Sequence, residues 1–145
     1  MVVDMNNRLW VLCSGGYSGD YTPELIRINV TTNEIEKREP FPSVFPNPTT
    51  LRINRTGDTL YFLRDGIWKM GIGSSMLPAE PFVKSSGRMF YNLGVDPVNN
   101  FIYATNAVNY VDRGYLLRIK SDGTIIDSAR TDIIPGSVCF KVNLN

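Results

Sequence analysis

Short apolar runs, most of them alternating with polar residues at every second position, follow one another along the chain. Turns rich in Asn, Asp and Gly separate them. Alternation of this kind predicts strands with one face buried, and Asp-Gly between two runs favours a tight hairpin because its residues tolerate positive φ. The fullest unit lies between Leu93 and Arg130. Gly94–Pro97 and Phe101–Ala104 read as strands joined by Val98-Asn99-Asn100, and a longer loop leads to a third strand at Tyr115–Lys120. After Asp122-Gly123, Thr124–Ala129 is the fourth. The unit is an antiparallel up-and-down meander, and helix signals are almost absent from the whole chain.

The same unit occurs three times. Its first hairpin recurs as V-V-D-M-N-N-R-L-W-V-L from Val2, R-I-N-R-T-G-D-T-L-Y-F-L from Arg52 and G-V-D-P-V-N-N-F-I-Y-A-T from Gly94, placing an aromatic after the turn at Trp10, Tyr61 and Tyr103. The third strand recurs as Ile26-Arg27-Ile28, Trp68-Lys69-Met70 and Leu117-Arg118-Ile119. A fourth strand is expected at Glu34–Arg38, Pro81–Lys84 and Thr124–Ala129. Four antiparallel strands repeating every ~45 residues are the pattern of a β-propeller, in which four-stranded sheets, the blades, stack around an axis. The expected fold is therefore all-β, with three blades at about 1–42, 43–87 and 88–131 and an extra inner strand at 136–143, centred on Ser137–Val142. Three blades are fewer than the four of a small closed ring. The expectation is a segment of a longer ring, or a half-ring completed by a second copy.

Composition narrows the function classes. Fifteen basic against fourteen acidic residues, with no basic block, do not suggest a nucleic-acid partner, and no apolar run reaches the ~20 residues of a membrane helix. A soluble domain is expected, and Met1 leads into Val2-Val3-Asp4 without a signal-peptide pattern. With no histidine in the chain, the commonest general base and transition-metal ligand is missing. Cys13 and Cys139 sit in apolar runs and are expected to be buried thiols.

In a meander blade, the loops between strands two and three lie at the same end as those leading to the next blade. Compact turns mark the opposite end: Met5-Asn6-Asn7, Arg55–Asp58 and Ser121-Asp122-Gly123. The first end carries the long segments Ser14–Glu24, Glu39–Thr50, Ser85–Tyr91 and Thr105–Gly114. Binding residues concentrate on long loops over a rigid scaffold. The candidate ligand-binding residues are Tyr17, Asp20, Tyr21, Asn106, Tyr110, Asp112 and Arg113, with Phe41, Phe45 and Tyr91 nearby. Tyrosine combines an apolar face with a polar tip and suits sugars or peptides; these aromatics could equally pin the loops to the blades. Asp20 and Asp112 could contribute oxygen ligands to calcium, although no EF-hand spacing accompanies them. Asp4 and Asp96, before equivalent turns, are expected to bond nearby backbone. No catalytic residue and no other metal or cofactor is assigned.

The segment Ile102-Tyr103-Ala104-Thr105-Asn106 resembles the Y-V-T-N signature of a family of bacterial β-propellers, with Ala104 in place of valine. Gly94–Pro97, Asn109–Tyr115 and Ile133–Lys141 extend the resemblance to surface-layer or cell-surface propellers of Bacteroidetes. The resemblance implies a ring of about seven blades, an exported protein of the periplasm or cell surface, and no established catalytic residues. Three functions follow from these readings. The first is a non-catalytic binding or scaffold module of the cell envelope, holding a carbohydrate, peptide or envelope protein. The others are a propeller enzyme of lyase, lactonase or hydrolase type completed by further blades, and a structural half-propeller that forms a homodimer.

Overall fold

The computed structural model describes residues 1–142. Twelve strands form three four-stranded antiparallel sheets, each ordered as in the chain. Blade 1 holds β1 (Val2–Val3), β2 (Arg8–Cys13), β3 (Glu24–Asn29) and β4 (Ile35–Pro40). Blade 2 holds β5 (Thr49–Ile53), β6 (Thr59–Leu63), β7 (Gly66–Gly71) and β8 (Val83–Lys84). Blade 3 holds β9 (Phe90–Val95), β10 (Ile102–Asn106), β11 (Arg113–Ile119) and β12 (Ile125–Ile133). No helix occurs among the described residues. The fold is a β-propeller of four-stranded blades, three of them present.

Pairing within the blades follows the repeat residue for residue. Trp10 lies opposite Arg27, Tyr61 opposite Lys69 and Tyr103 opposite Arg118. Because successive side chains point to opposite faces, these aromatic and basic residues share one face of each blade, here called the forward face. The rear face carries the intervening pairs: Leu9 with Ile28, Leu60 with Met70, and Ile102 with Ile119.

Blades stack forward face to rear face. Trp10 and Leu25 of blade 1 form one core with Leu60, Phe62, Trp68 and Met70 of blade 2. Tyr61, Leu63 and Ile67 of blade 2 form the other with Leu93, Ile102, Leu117 and Ile119 of blade 3. Burying a side chain of this size contributes roughly 1.5–3 kcal/mol, so these two seams hold the blades together. The basic residues set their cations against aromatic rings. Arg27 stacks 5.7 Å from the Trp10 ring centroid and Lys69 4.7 Å from that of Phe82.

At the compact end, the turns cap themselves. Asp4 accepts hydrogen bonds from the backbone of Asn6 and Arg8 through Oδ1, and from the buried Trp10 Nε1 at 2.8 Å through Oδ2. Asp96 Oδ1 accepts from the Val98 backbone. Asn54 holds the same position in blade 2, its Oδ1 accepting from Asp58 and Thr59. Adjacent turns are also joined directly, since the Met5 N–H donates to the Gly57 carbonyl at 2.9 Å.

Four expectations need correction. Ser137–Val142 joins no sheet; it runs across the forward face of blade 3, with Val138 and Phe140 beside Gly94 and the Phe140 ring 5.5 Å from Tyr103. It occupies the place of a next inner strand without a second strand to pair with, and residue 143 of the expected span lies outside the described residues. The cysteines are not buried: Cys139 is exposed and Cys13 half-buried. Cys139 falls between the two residues that face blade 3, and Cys13 stands on the rear face of blade 1, which no blade covers. The expected Pro81–Lys84 strand shortens to Val83–Lys84, and the inner strand of blade 3 begins earlier, at Phe90.

Candidate functional site

At the end of the propeller with the long loops, two side chains add to scattered backbone bonds such as Phe41 N–H to the Pro23 carbonyl and Ala107 N–H to the Met89 carbonyl. Arg64, in the turn between β6 and β7, ties down the blade 1–2 connection. Its Nε donates to the Pro46 carbonyl at 3.0 Å and its Nη2 to Ser43 Oγ and the Phe45 carbonyl. The guanidinium also lies 5.4 Å from the Phe41 ring centroid. Asn47 Nδ2 donates to the carbonyls of Ser14 and Gly16 at 2.9 and 2.7 Å, joining that connection to the first long loop. Both side chains satisfy loop carbonyls that no strand pairing reaches.

Between these anchors and blade 3 lies a cleft of about 700 Å³, within the size range of small-ligand sites. One wall is Asn47, Arg64 and Asp65; the other is Arg88, Tyr91, Asn92 and Tyr110. Tyr91 and Tyr110 meet edge to face with centroids 5.9 Å apart. Both remain part-exposed, at 40% and 47%, and line the cleft. Asp65 is already engaged by Trp68 Nε1 at 2.8 Å. Asn92 bridges neighbouring inner strands, accepting from Arg52 Nη2 at 3.2 Å and donating to the Gly136 carbonyl at 2.7 Å. The walls are thus a mix of aromatic faces, fixed amides, two cations and one carboxylate.

Of the residues singled out from the sequence, Tyr110 and the neighbouring Tyr91 line this cleft. Tyr17 is fully exposed and lines a second, shallower cavity of about 610 Å³ with Phe45, Asn47 and Thr49. Asn106 serves the fold, its Oδ1 accepting from the backbone of Met89 at 2.9 Å and Val108 at 3.0 Å. Asp112 is bound within its own loop by Asn109 Nδ2 at 2.8 Å. Arg113 faces Asp132 at 3.7 Å across open solvent. Asp20, Tyr21, Asp112 and Arg113 do not line the main cleft. Asp20 and Asp112 belong to no cluster of three or more potential metal ligands among the described residues. Arg64, Arg88 and Asn92 were missed; the arginine in the otherwise tight L-R-D-G turn is a local signal for Arg64 alone.

The architecture is that of a β-propeller module, and comparison with solved structures agrees. A quinonprotein alcohol dehydrogenase-like protein from Bacteroides thetaiotaomicron is similar in fold, with a TM-score of 0.68 and 18% sequence identity. The match covers 90% of this chain and 32% of that one, so the chain spans about a third of that protein's length. No family model matches the chain, and no curated protein matches it. No helix among the described residues is long and apolar enough to cross a membrane.

Proposed function

We propose that the chain is a binding module of the bacterial cell envelope, exported there as its YVTN-like sequence implies, and that it holds a carbohydrate in the cleft between blades 2 and 3. The observation that carries this reading is the Tyr91–Tyr110 pair, part-exposed and set beside Arg88 and Asn92. Sugars offer apolar C–H faces and polar hydroxyl rims. Tyrosine rings match the first, while amide and guanidinium groups match the second.

Titration with soluble peptidoglycan fragments and with neutral oligosaccharides, followed by NMR, tests the reading. Binding by either set is expected, with Tyr110→Ala and Arg88→Ala each weakening it by about tenfold or more. Tyr17→Ala, in the second cavity, is expected to leave it unchanged. Binding that survives both cleft substitutions, or that is absent from both panels, would refute the assignment.

A further inference from the structure

The charges in the cleft between blades 2 and 3 do not cancel. Elsewhere arginines meet carboxylates: Arg8 and Arg27 share Glu36, Arg38 pairs with Glu24, and Arg118 pairs with Asp127. Arg64 and Arg88, which line the cleft, make no ion pair among the described residues. Arg52, Arg55 and Arg130 are unpaired as well, but they do not line it. The one carboxylate on the walls, Asp65, pairs with neither arginine. Two guanidiniums against one carboxylate leave the cleft one positive charge in surplus.

Of the two arginines, one is committed to the fold. Arg64 directs Nε and Nη2 to Pro46, Ser43 and Phe45, and so serves the loop it holds. Arg88 is half-buried, and its guanidinium makes a single bond, from Nη1 to the Ser85 carbonyl at 3.4 Å. Its Nε and Nη2 are left without a protein partner among the described residues. The opposite wall has the reverse polarity. Asn47 gives both Nδ2 hydrogens to Ser14 and Gly16, and Asp65 Oδ1 accepts from Trp68, so the atoms left over are acceptors, Asn47 Oδ1 and Asp65 Oδ2.

We infer that the sugar held in this cleft is an acidic one, its carboxylate on Arg88 and its hydroxyls toward Asn47 and Asp65. A guanidinium offers two parallel N–H groups that match the two oxygens of a carboxylate, and such charge-assisted pairs are about twice as strong as neutral hydrogen bonds. One carboxylate also balances the surplus of one charge. Hydroxyls, in turn, are the donors that a wall of leftover acceptors calls for. The inference rests on the carbohydrate reading of the cleft and narrows it to sugar acids.

NMR titration with three matched pairs tests it: glucuronate against glucose, galacturonate against galactose, and N-acetylmuramate against N-acetylglucosamine. In at least one pair the acid is expected to bind about tenfold more tightly than its neutral partner. Raising salt from about 0.05 M to about 0.5 M should remove most of that advantage and leave the neutral sugar unchanged. Arg88→Gln should level the pair, whereas Arg88→Lys, which keeps the charge without the fork, should retain part of the preference. The salt series uses the wild-type chain, so it decides the matter even if Arg88→Gln fails to fold. Neutral partners that bind as tightly as the acids, with Tyr110→Ala still weakening both, would overturn the inference and leave the carbohydrate reading standing. Binding by no member of any pair would overturn both. An acid preference that survives Arg88→Gln, or glucose 6-phosphate bound more tightly than every carboxylate, would overturn the inference alone.

Discussion

The two ends of the propeller are built from the same strands and differ in how their connections are satisfied. At the compact end, each turn closes on itself through an Asp or Asn, and Met5 bonds directly to Gly57 of the next blade. At the other end, long connections depend on reaching side chains, Arg64 and Asn47, and leave a cleft and exposed aromatics. Short turns that complete their own hydrogen bonding can recur in every blade and carry stability. Loops that need one particular arginine are free to differ, and they carry the surface available for recognition.

The comparison breaks most severely at Trp10 and Asp4. Trp10 is fully buried, and its Nε1 has Asp4 as acceptor. Trp10→Ala removes a large ring from the seam between blades 1 and 2 and is expected to cost about 3–5 kcal/mol in denaturant unfolding. Asp4→Ala keeps the ring but strands Nε1 and the turn amides, for about 1–3 kcal/mol. By contrast, Tyr17→Ala at the long-loop end should stay within about 0.5 kcal/mol of wild type. A Tyr17 effect as large as that of Asp4 would remove the distinction between the ends.

Two glycines sharpen it further, since both have positive φ and differ in surroundings. A Cβ on Gly57 (φ +72) would meet the Met5 nitrogen at 2.8 Å, whereas one on Gly16 (φ +90) would meet nothing within 4 Å. Gly16→Ala carries the backbone cost alone, about 1 kcal/mol. Gly57→Ala adds the displacement of the turn it bonds and should exceed it by about 1 kcal/mol or more. Equal midpoint shifts for the two variants would mean that the Met5–Gly57 contact is not structural.

Much of this was legible in the chain because the repeat supplies its own alignment. Trp10, Tyr61 and Tyr103 fall at one position, and so do Arg27, Lys69 and Arg118, which fixes register and facing together. The turn role of Asp4 and Asp96 was likewise readable, while Asn54 was overlooked because it supplies the same acceptor as an amide. Ser137–Val142 has the composition of a strand but no ladder, since a strand exists only with a partner. The cleft was largely hidden for another reason. Arg64, Arg88 and Tyr110 lie far apart in sequence, and only blade stacking brings them to one wall or its opposite. Asp112 and Asn106 looked like site residues because polar side chains that serve local turns have the same composition as those that serve ligands.

The smallest expected effect concerns acid. Asp58, at the compact end, has its carboxyl held below the ordinary value of 3.8 by hydrogen bonds from Thr59, Asn54 and Thr56. Asp122 is lowered by the Thr124 backbone, and Glu36 below 4.5 by its bond to Arg8. A carboxyl whose folded pKa lies below its unfolded value stabilises the fold above the unfolded value and loses that contribution as pH falls through the folded one. The denaturation midpoint should therefore hold steady from neutrality down to about pH 5 and decline below about pH 4. All three groups are solvent-screened, so the decline should be shallow. Asp58→Asn retains an acceptor oxygen for Asn54 and Thr59 but cannot titrate, and it should flatten part of the slope. A decline of unchanged steepness in that variant would show that Asp58 does not set the acid limit, and would move attention to Asp122 and Glu36.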